Sequence, residues 1–353
     1  MMLDKIQYKF IDDKYLDKNG FISNDYKFQV NFPELNIKDS KIIGKPEEKF
    51  VTNLFLPIGE GRKGEGGLRT KGFFKFSYKY VNNTWMIADY YGNALTKVPS
   101  DIVVKINEYI RTTENSAIKE LPLITVITVV YNGEKYLEQT IQSVISQTYP
   151  NVEYIIIDGG STDGTLDIIK KHEDYIDYWV SEKDGGIYDA MNKGIDLVNG
   201  EFVNFMNSGD LFYNNSVLHT VCNELDDGMI YGNHALYGKN MVKVIDVKNY
   251  KDKRNIPFCH QALFVKSFYL KKNKFNRKYN IASDYDQYLS LKYSGIKIKH
   301  IPETICLYLE GGLSQVDRKR LIYEYYQVMK KYKPFYALII KIIRLVKYYI
   351  LRK

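Results

Sequence analysis

The sequence predicts an α/β protein: a Rossmann-like, mostly parallel central sheet flanked by helices, with a smaller α+β region before it and an amphipathic helix after it. Three observations carry that expectation. Two nearly continuous β-branched runs, Leu123–Val130 and Val152–Ile157, have the composition of strands buried on both faces, as a helix-covered parallel sheet requires. Between them Leu137, Ile141, Val144 and Ile145 recur at helical spacing. Each run ends in turn-forming residues, Tyr131-Asn132-Gly133 after the first and Asp158-Gly159-Gly160-Ser161 after the second. Such a βαβ unit crosses over right-handed, and open sheets take ligands beyond the carboxyl ends of their strands. A site is expected at those ends.

The elements follow in order. Residues 1–120 form a first region to which the sequence assigns no role. It holds strand-like pieces at Phe28–Phe32, Phe50–Leu56 and Phe73–Val81. Ser100-Asp101 supplies side-chain oxygens to cap a helix through Ile102, Val103, Ile106 and Ile110. Gly59–Gly72 is rich in glycine and carries Arg62, Lys63, Arg69 and Lys71. It reads as a flexible loop, because it lacks the Gly-Lys-Ser/Thr ending of a phosphate-cradling loop and no helical pattern follows. Arg111–Glu120 is polar and reads as the linker into a core domain spanning residues 121–314. Within the core, Leu166–Lys171 continues as a helix, Tyr178–Val180 is a strand and Ser181–Gly186 a loop. Ile187–Val198 is a helix, and Phe202–Met206 is a strand ending at Asn207-Ser208-Gly209-Asp210. Strands are then expected at Met229–Gly232, Val242–Ile245, Phe258–Val265 and Ile296–Ile301, with a helix opening at Ala282–Asp286.

The last segment, residues 315–353, is a helical tail. Lys341, Arg344 and Lys347 fall in one arc of the wheel, and Leu338, Ile339, Ile342, Leu345, Val346, Tyr349 and Ile350 cover the opposite face. No uncharged run approaches the ~20 residues of a spanning helix. A basic amphipathic helix with a wide apolar face suits an anionic membrane surface; packing on the protein's own core or on a partner is the other reading.

Composition narrows the function classes. At 353 residues the chain has room for two domains and a large core. The net charge of +8 is spread among many acids, which suits an anionic substrate or membrane and gives no nucleic-acid signature. Cys222, Cys259 and Cys306 are widely spaced, so neither a disulfide framework nor a zinc site is expected, and a reducing setting fits. The first residues show no secretory pattern. The expected location is cytoplasmic, peripheral on the inner face of the cell membrane.

The chemistry is expected where acidic or amide side chains follow strands: Asp158, Asp184 and Asn207/Asp210, with Asp284 at a later helix start. Hard oxygen ligands there can hold a ribose hydroxyl or a divalent cation that bridges a diphosphate. Singly, each is an ordinary turn or cap residue. Their repetition along one sheet edge is what points to a site.

Four ordered motifs give a more specific lead: Thr128-Val129-Val130-Tyr131-Asn132, Ile157 through Thr165, Asp189-Ala190-Met191-Asn192-Lys193-Gly194, and Asn207-Ser208-Gly209-Asp210. Over about Leu121–Ser314 they resemble the family 2 glycosyltransferases of the GT-A fold, in particular bacterial enzymes of capsular, exopolysaccharide, O-antigen and colanic-acid assembly. Gly66–Gly72 is reminiscent of segments upstream of such cores. The resemblance implies inverting transfer from a nucleotide-sugar, commonly UDP-linked, with Mg²⁺ or Mn²⁺, to a lipid-linked saccharide acceptor. Carried over by residue, it implies that Thr128, Tyr131, Asn132 and Asp158 hold the nucleotide, with Asp158 facing the base and Asp163 orienting it. Asp184 and Asn192 would line the donor pocket, and Asn207 would meet a hydroxyl. Asp210 matches the last acid of the Asp-x-Asp-type metal motif, and Asp284 the base that deprotonates the acceptor. His260, Gln261 and Asp286 fall on the acceptor side, and Gly311–Ser314 where a closing loop lies.

The motif departs from the pattern at Asn207 and Gly209, where acids often stand, and at Met191, where many relatives carry Arg. His260 reads equally as a strand-end core residue. Two other functions stay open: a catalytically impaired nucleotide-sugar-binding or scaffold subunit, and a sugar nucleotidyltransferase, whose glycine-rich signature Tyr131-Asn132-Gly133 lacks. A dehydrogenase is disfavoured, since no Gly-x-Gly-x-x-Gly follows the first strand.

Overall fold

The computed structural model describes residues 8–9, 54–88, 94–112, 118–238, 241–247, 258–309 and 317–350. The expected strand at Phe28–Phe32 and the expected closing loop Gly311–Ser314 lie outside the described residues.

Four parallel strands form the centre of the main sheet: β6 (Ile124–Val130), β7 (Val152–Asp158), β8 (Tyr178–Ser181) and β9 (Phe202–Phe205), in the spatial order β8-β7-β6-β9. All residues of these strands are buried, which is why their sequence runs apolar without alternating. Helices α2 (Leu137–Ile145), α3 (Thr165–Lys171) and α4 (Ile187–Leu197) make the connections. Period-two alternation divides the strands between two cores. Ile124, Val126, Val130 and Ile156 face one that also takes Leu137, Ile141 and Val144 of α2. Ile127, Val129, Ile155 and Ile157 face the other, with Ala190, Met191 and Ile195 of α4. Each such Val, Leu, Ile or Met side chain is worth about 1.5–3 kcal/mol on burial. Gly194 lets α4 press against β6, since a Cβ there would stand 2.8 Å from a methyl of Ile127.

Beyond β9 the sheet turns antiparallel. β13 (Leu263–Lys266) pairs with β9 and with β11 (Met229–Gly238), which lies parallel to β14 (Ile298–Leu309); β10 (Leu211–Phe212) closes that edge, and β12 (Met241–Ile245) pairs with β11. Two expectations change here. The Phe258–Val265 strand is a 3-10 turn at His260–Ala262 followed by β13, so His260 sits at a strand entrance. The last strand runs much further than Ile301, to Leu309.

The opposite edge is a larger correction. Gly64–Gly66, inside the stretch expected to be a flexible loop, is strand β1 and pairs antiparallel with β8, and Leu68–Lys71 is a 3-10 turn against it. Arg69 is buried and donates to Glu153 (2.6 Å) and to the Leu197 carbonyl (2.8 Å); Lys75, also buried, donates to Asp177 (2.7 Å). A four-stranded antiparallel sheet follows, made of β2 (Ser77–Val81), β3 (Thr84–Ala88), β4 (Ala94–Lys97) and β5 (Glu120–Leu121). With α1 (Ser100–Thr112) it packs into the first core through Tyr78, Trp85, Ile102 and Ile106. Short helices α5 (Val217–Cys222) and α6 (Ser267–Lys272) brace the main sheet, and α7 (Ser283–Tyr293) lies in the second core.

The tail forms α8 (Arg318–Tyr332) and α9 (Pro334–Ile350). Ala337 and Ile340 of α9 are buried in the second core, and two of its cations turn inward onto tyrosines of α8: Lys341 lies 4.4 Å from the Tyr326 ring centre and Arg344 5.0 Å from that of Tyr325. The apolar arc is left outside. Phe335, Leu338, Ile339, Ile342, Ile343, Val346 and Ile350 are 47% to 87% exposed. Among the described residues no helix is long and apolar enough to cross a membrane.

Candidate active site

The carboxyl ends of β6, β7, β8 and β9 lie along one edge, and the segments that follow them are hydrogen-bonded to each other. Gly159 N–H donates to the Val130 carbonyl, Glu182 N–H to that of Asp158, and Ser208 N–H to that of Val129. Tyr131 projects there, 65% exposed. Asn132 adopts a positive φ of 51°, and its Oδ1 accepts from the Thr162 N–H at 2.8 Å, locking the β6 turn to the β7 turn. Asp158 is buried; its carboxylate accepts from the Ser161 hydroxyl and N–H and from the Ser181 hydroxyl. Asp163 accepts from Glu134 N–H and from both N–H and hydroxyl of Thr165. Burial works against its charge, but the Thr165 hydroxyl and these backbone groups together hold the carboxyl below its ordinary value. Asp184 accepts from Gly186 N–H, while burial pushes its own carboxyl up. Gly159 keeps a passage open between them: a Cβ would stand 2.6 Å from Asp184 Oδ2 and 3.4 Å from the Tyr131 ring.

Asp210 lies in the turn after β9, mostly buried, and Gln261 Nε2 donates to its Oδ2 at 2.5 Å. His260 stacks on Phe205 and meets Phe275 edge-on; Phe275 stacks on Tyr188, whose hydroxyl reaches Asp284 Oδ1 at 3.4 Å. A chain of contacts thus links Asp210, Gln261 and His260 to Asp284 through Phe275 and Tyr188. Burial pushes Asp284 up to about 6 and His260 down to about 4, so the imidazole is neutral near pH 7. Three buried polar atoms here lack hydrogen-bond partners: Asn204 Oδ1, Asn207 Oδ1 and His260 Nε2. Buried polar groups are normally satisfied; Asn207 and His260 are part-exposed and so open to a ligand's polar atoms, whereas Asn204 is fully buried and turned to the Gln261 and Leu263 carbonyls.

Three expected contacts are internal instead. Thr128 is fully buried and donates to the Met206 carbonyl (2.7 Å), as befits a hydroxyl inside a sheet covered on both faces. Asn192 is committed at both ends of its amide to the backbone of Phe275. Asp286, two residues from Asp284 and so on another side of α7, is ion-paired with Lys331 of α8 (2.7 Å) and accepts from Asn276. The turn into α7 is held by Glu324 of α8, whose carboxylate accepts from the N–H groups of Asn280, Ile281 and Ala282.

Among the described residues no group of three or more His, Cys, Asp or Glu could hold a metal ion. A smaller set fits: the Asp210 carboxylate and the unpartnered Asn207 Oδ1 in the same turn. Magnesium-like cations commonly bind through one or two carboxylates and take their remaining ligands from substrate phosphates and water.

Residues 125–295 match the model of glycosyl transferase family 2. These residues form a glycosyl transferase family 2 domain. An uncharacterized glycosyltransferase of Rickettsia typhi is 32% identical over 197 residues, 51% of this chain and 62% of the relative, so less than two thirds of that protein is spanned. A PGL/p-HBAD biosynthesis glycosyltransferase of Mycobacterium bovis is 29% identical over 214 residues, 57% of this chain and 83% of the relative. The mannosyltransferase PcManGT of Pyrobaculum calidifontis, solved with GDP-Man and Mn²⁺, superposes with a TM-score of 0.50 at 18% identity, covering 69% of this chain and 81% of that one. The fold is thus of the GT-A type. Sequence reasoning missed Tyr188, an aromatic on a core helix, and Lys63, Ser161 and Ser181, whose partners are distant in the chain.

Proposed function

We propose that this glycosyltransferase transfers a sugar, with inversion, from a UDP-linked donor to a hydroxyl of a lipid-linked acceptor in surface-polysaccharide assembly. The observation that carries the reading is the cluster joining Asp210 to Asp284 through Gln261, His260, Phe275 and Tyr188. Tyr131 offers a ring face to the nucleotide base, and Asp158 and Asp163 keep the adjoining turn in shape. Asp210 and Asn207 would hold a divalent cation, which supplies positive charge to the leaving diphosphate. Asp284 takes the proton from the acceptor oxygen, and its raised pKa makes it a stronger base than an ordinary carboxylate. Neutral His260 is suited to a hydroxyl group of a sugar.

Asp210→Asn tests the cation site. Calorimetric titration of UDP with and without MnCl₂ is expected to show Mn²⁺-enhanced binding in the wild type and a loss of at least about tenfold of that enhancement in the variant. Equal enhancement in both proteins would remove Asp210 from the metal. Normal UDP binding with no transfer to any acceptor favours the scaffold reading.

The exposed arc of α9 is proposed to lie in an anionic membrane surface, consistent with lipid-linked acceptors. Ile339→Glu/Ile342→Glu should cut sedimentation with phosphatidylglycerol-containing vesicles by at least about tenfold, given about 1.5–3 kcal/mol per buried isoleucine. Undiminished sedimentation would place the attachment elsewhere.

A further inference from the structure

The segment Gly59–Gly66 precedes the family-matched residues 125–295, yet it is bonded to both loops that carry the acids beside Tyr131. Lys63 Nζ donates to the carbonyls of Gly160 (3.0 Å) and Ser161 (2.7 Å). Ser161 is the residue that closes the β7 turn. Its N–H and hydroxyl donate to Asp158, and its hydroxyl oxygen accepts from Asn132 N–H (2.7 Å). On the second loop, Lys63 N–H donates to the Ser181 carbonyl and Lys183 N–H to that of Glu60. Glu182 is fixed from three sides, by Arg62 Nε (2.7 Å), Gly59 N–H (3.1 Å) and Lys193 Nζ (2.6 Å). Burial opposes its charge, but Lys193 and Arg62 hold its carboxyl below the ordinary value. Of the next residues, Lys183 N faces Gly160 and the Asp184 carboxylate faces Gly159.

We infer that Lys63 is a positioning residue for the donor nucleotide: its ammonium group, held on the Gly160 and Ser161 carbonyls, fixes the turn that carries Asp158 against the loop that carries Asp184. Asp158 and Asn132 alone leave those two carbonyls without a cation, and loop carbonyls at a sheet end are free to rotate when no donor holds them. Lys63 is itself exposed and contributes no side chain to either core, so its substitution removes nothing from either. The inference rests on the nucleotide-sugar reading above.

Lys63→Met and Lys63→Arg in the full chain separate positioning from the alternatives. UDP and UMP are titrated with MnCl₂, and turnover of UDP-GlcNAc by hydrolysis is followed alongside. For Lys63→Met we expect the dissociation constants of both nucleotides to rise about five- to twentyfold, as for loss of a charge-assisted bond pair that is partly screened. The hydrolysis kcat at saturating donor should stay within about twofold, and Lys63→Arg, which also offers paired donors, should recover binding to within about threefold. Unchanged affinity in Lys63→Met overturns the inference while leaving the donor reading intact. So does a loss confined to UDP, which would make Lys63 a direct diphosphate contact. A wild type that binds neither nucleotide overturns both the reading and the inference.

Discussion

Replacing Asp284 with Asn should lower sugar transfer by about 10²–10⁴-fold, the usual contribution of a positioned general base, while UDP binding changes by less than about twofold. The two readouts part because Asp284 sits on α7, bonded to Tyr285 N–H and Tyr188, and touches none of the turns after β6, β7 or β8 through a hydrogen bond of its own. The same variant should also melt at a higher temperature near pH 7.5. Burial raises the carboxyl from 3.8 to about 6, so the folded protein holds this proton more tightly than the unfolded chain. Stability is then lost as pH rises from below the ordinary value through about 6, and the full penalty stands at neutral pH. Asn carries no such penalty, so the gain in melting temperature should shrink to nothing towards pH 4. Wild-type turnover should rise with pH across an apparent pKa near 6, since the base must be ionised. Calorimetry at both pH values and a pH–rate profile check all three. Full activity in the Asn variant would end the assignment.

The largest single stability effect is expected from Arg69→Met. Arg69 and Glu153 have side chains only 1% and 2% exposed, and Glu153 also accepts from Thr125 and Asn199 N–H. Removing the guanidinium leaves a carboxylate in the interior without its bonded cation, a loss of about 3–5 kcal/mol in denaturant unfolding. The double substitution Arg69→Met/Glu153→Met should recover much of this, because two matched apolar side chains carry no desolvation cost. A single variant within about 1 kcal/mol of wild type would show that the pair is not what ties residues 64–71 to the sheet.

The parallel half of the protein could be read in advance because burial on both faces leaves a local signature: Ile124–Val130 and Val152–Asp158 are apolar without alternation, and the turn chemistry begins where pairing ends. The antiparallel half left a weaker trace. β11 and β14 are long and partly exposed, so neither a continuous nor an alternating pattern marks their full extent. Gly64–Gly66 gave no pattern at all, since glycines have no side chains to alternate, and the strand exists because β8 offers it an edge more than a hundred residues away in sequence. Buried ions mislead for a related reason. Arg69 and Lys75 look like surface residues until Glu153 and Asp177 are brought beside them. At the site, positions were easier to read than roles. Thr128 is at the right strand end, yet its hydroxyl is taken by Met206, and Asp286 differs from Asp284 only by which side of one helix it occupies.

Glu324 gives the C-terminal region a second significance. By accepting from three successive N–H groups just before α7, it ties the attitude of that helix to α8, and Lys331 adds a second tie at Asp286. The carboxylate of Asp284 therefore takes its bearings from the same helix on which α9 rests, rather than from the turns beside Tyr131. Asp284 and the exposed apolar arc are thus held through the same pair of C-terminal helices, α8 and α9, packed with α7 in the second core. If Asp284 is the base proposed above, a surface that seats α9 would set the direction from which an acceptor hydroxyl meets it.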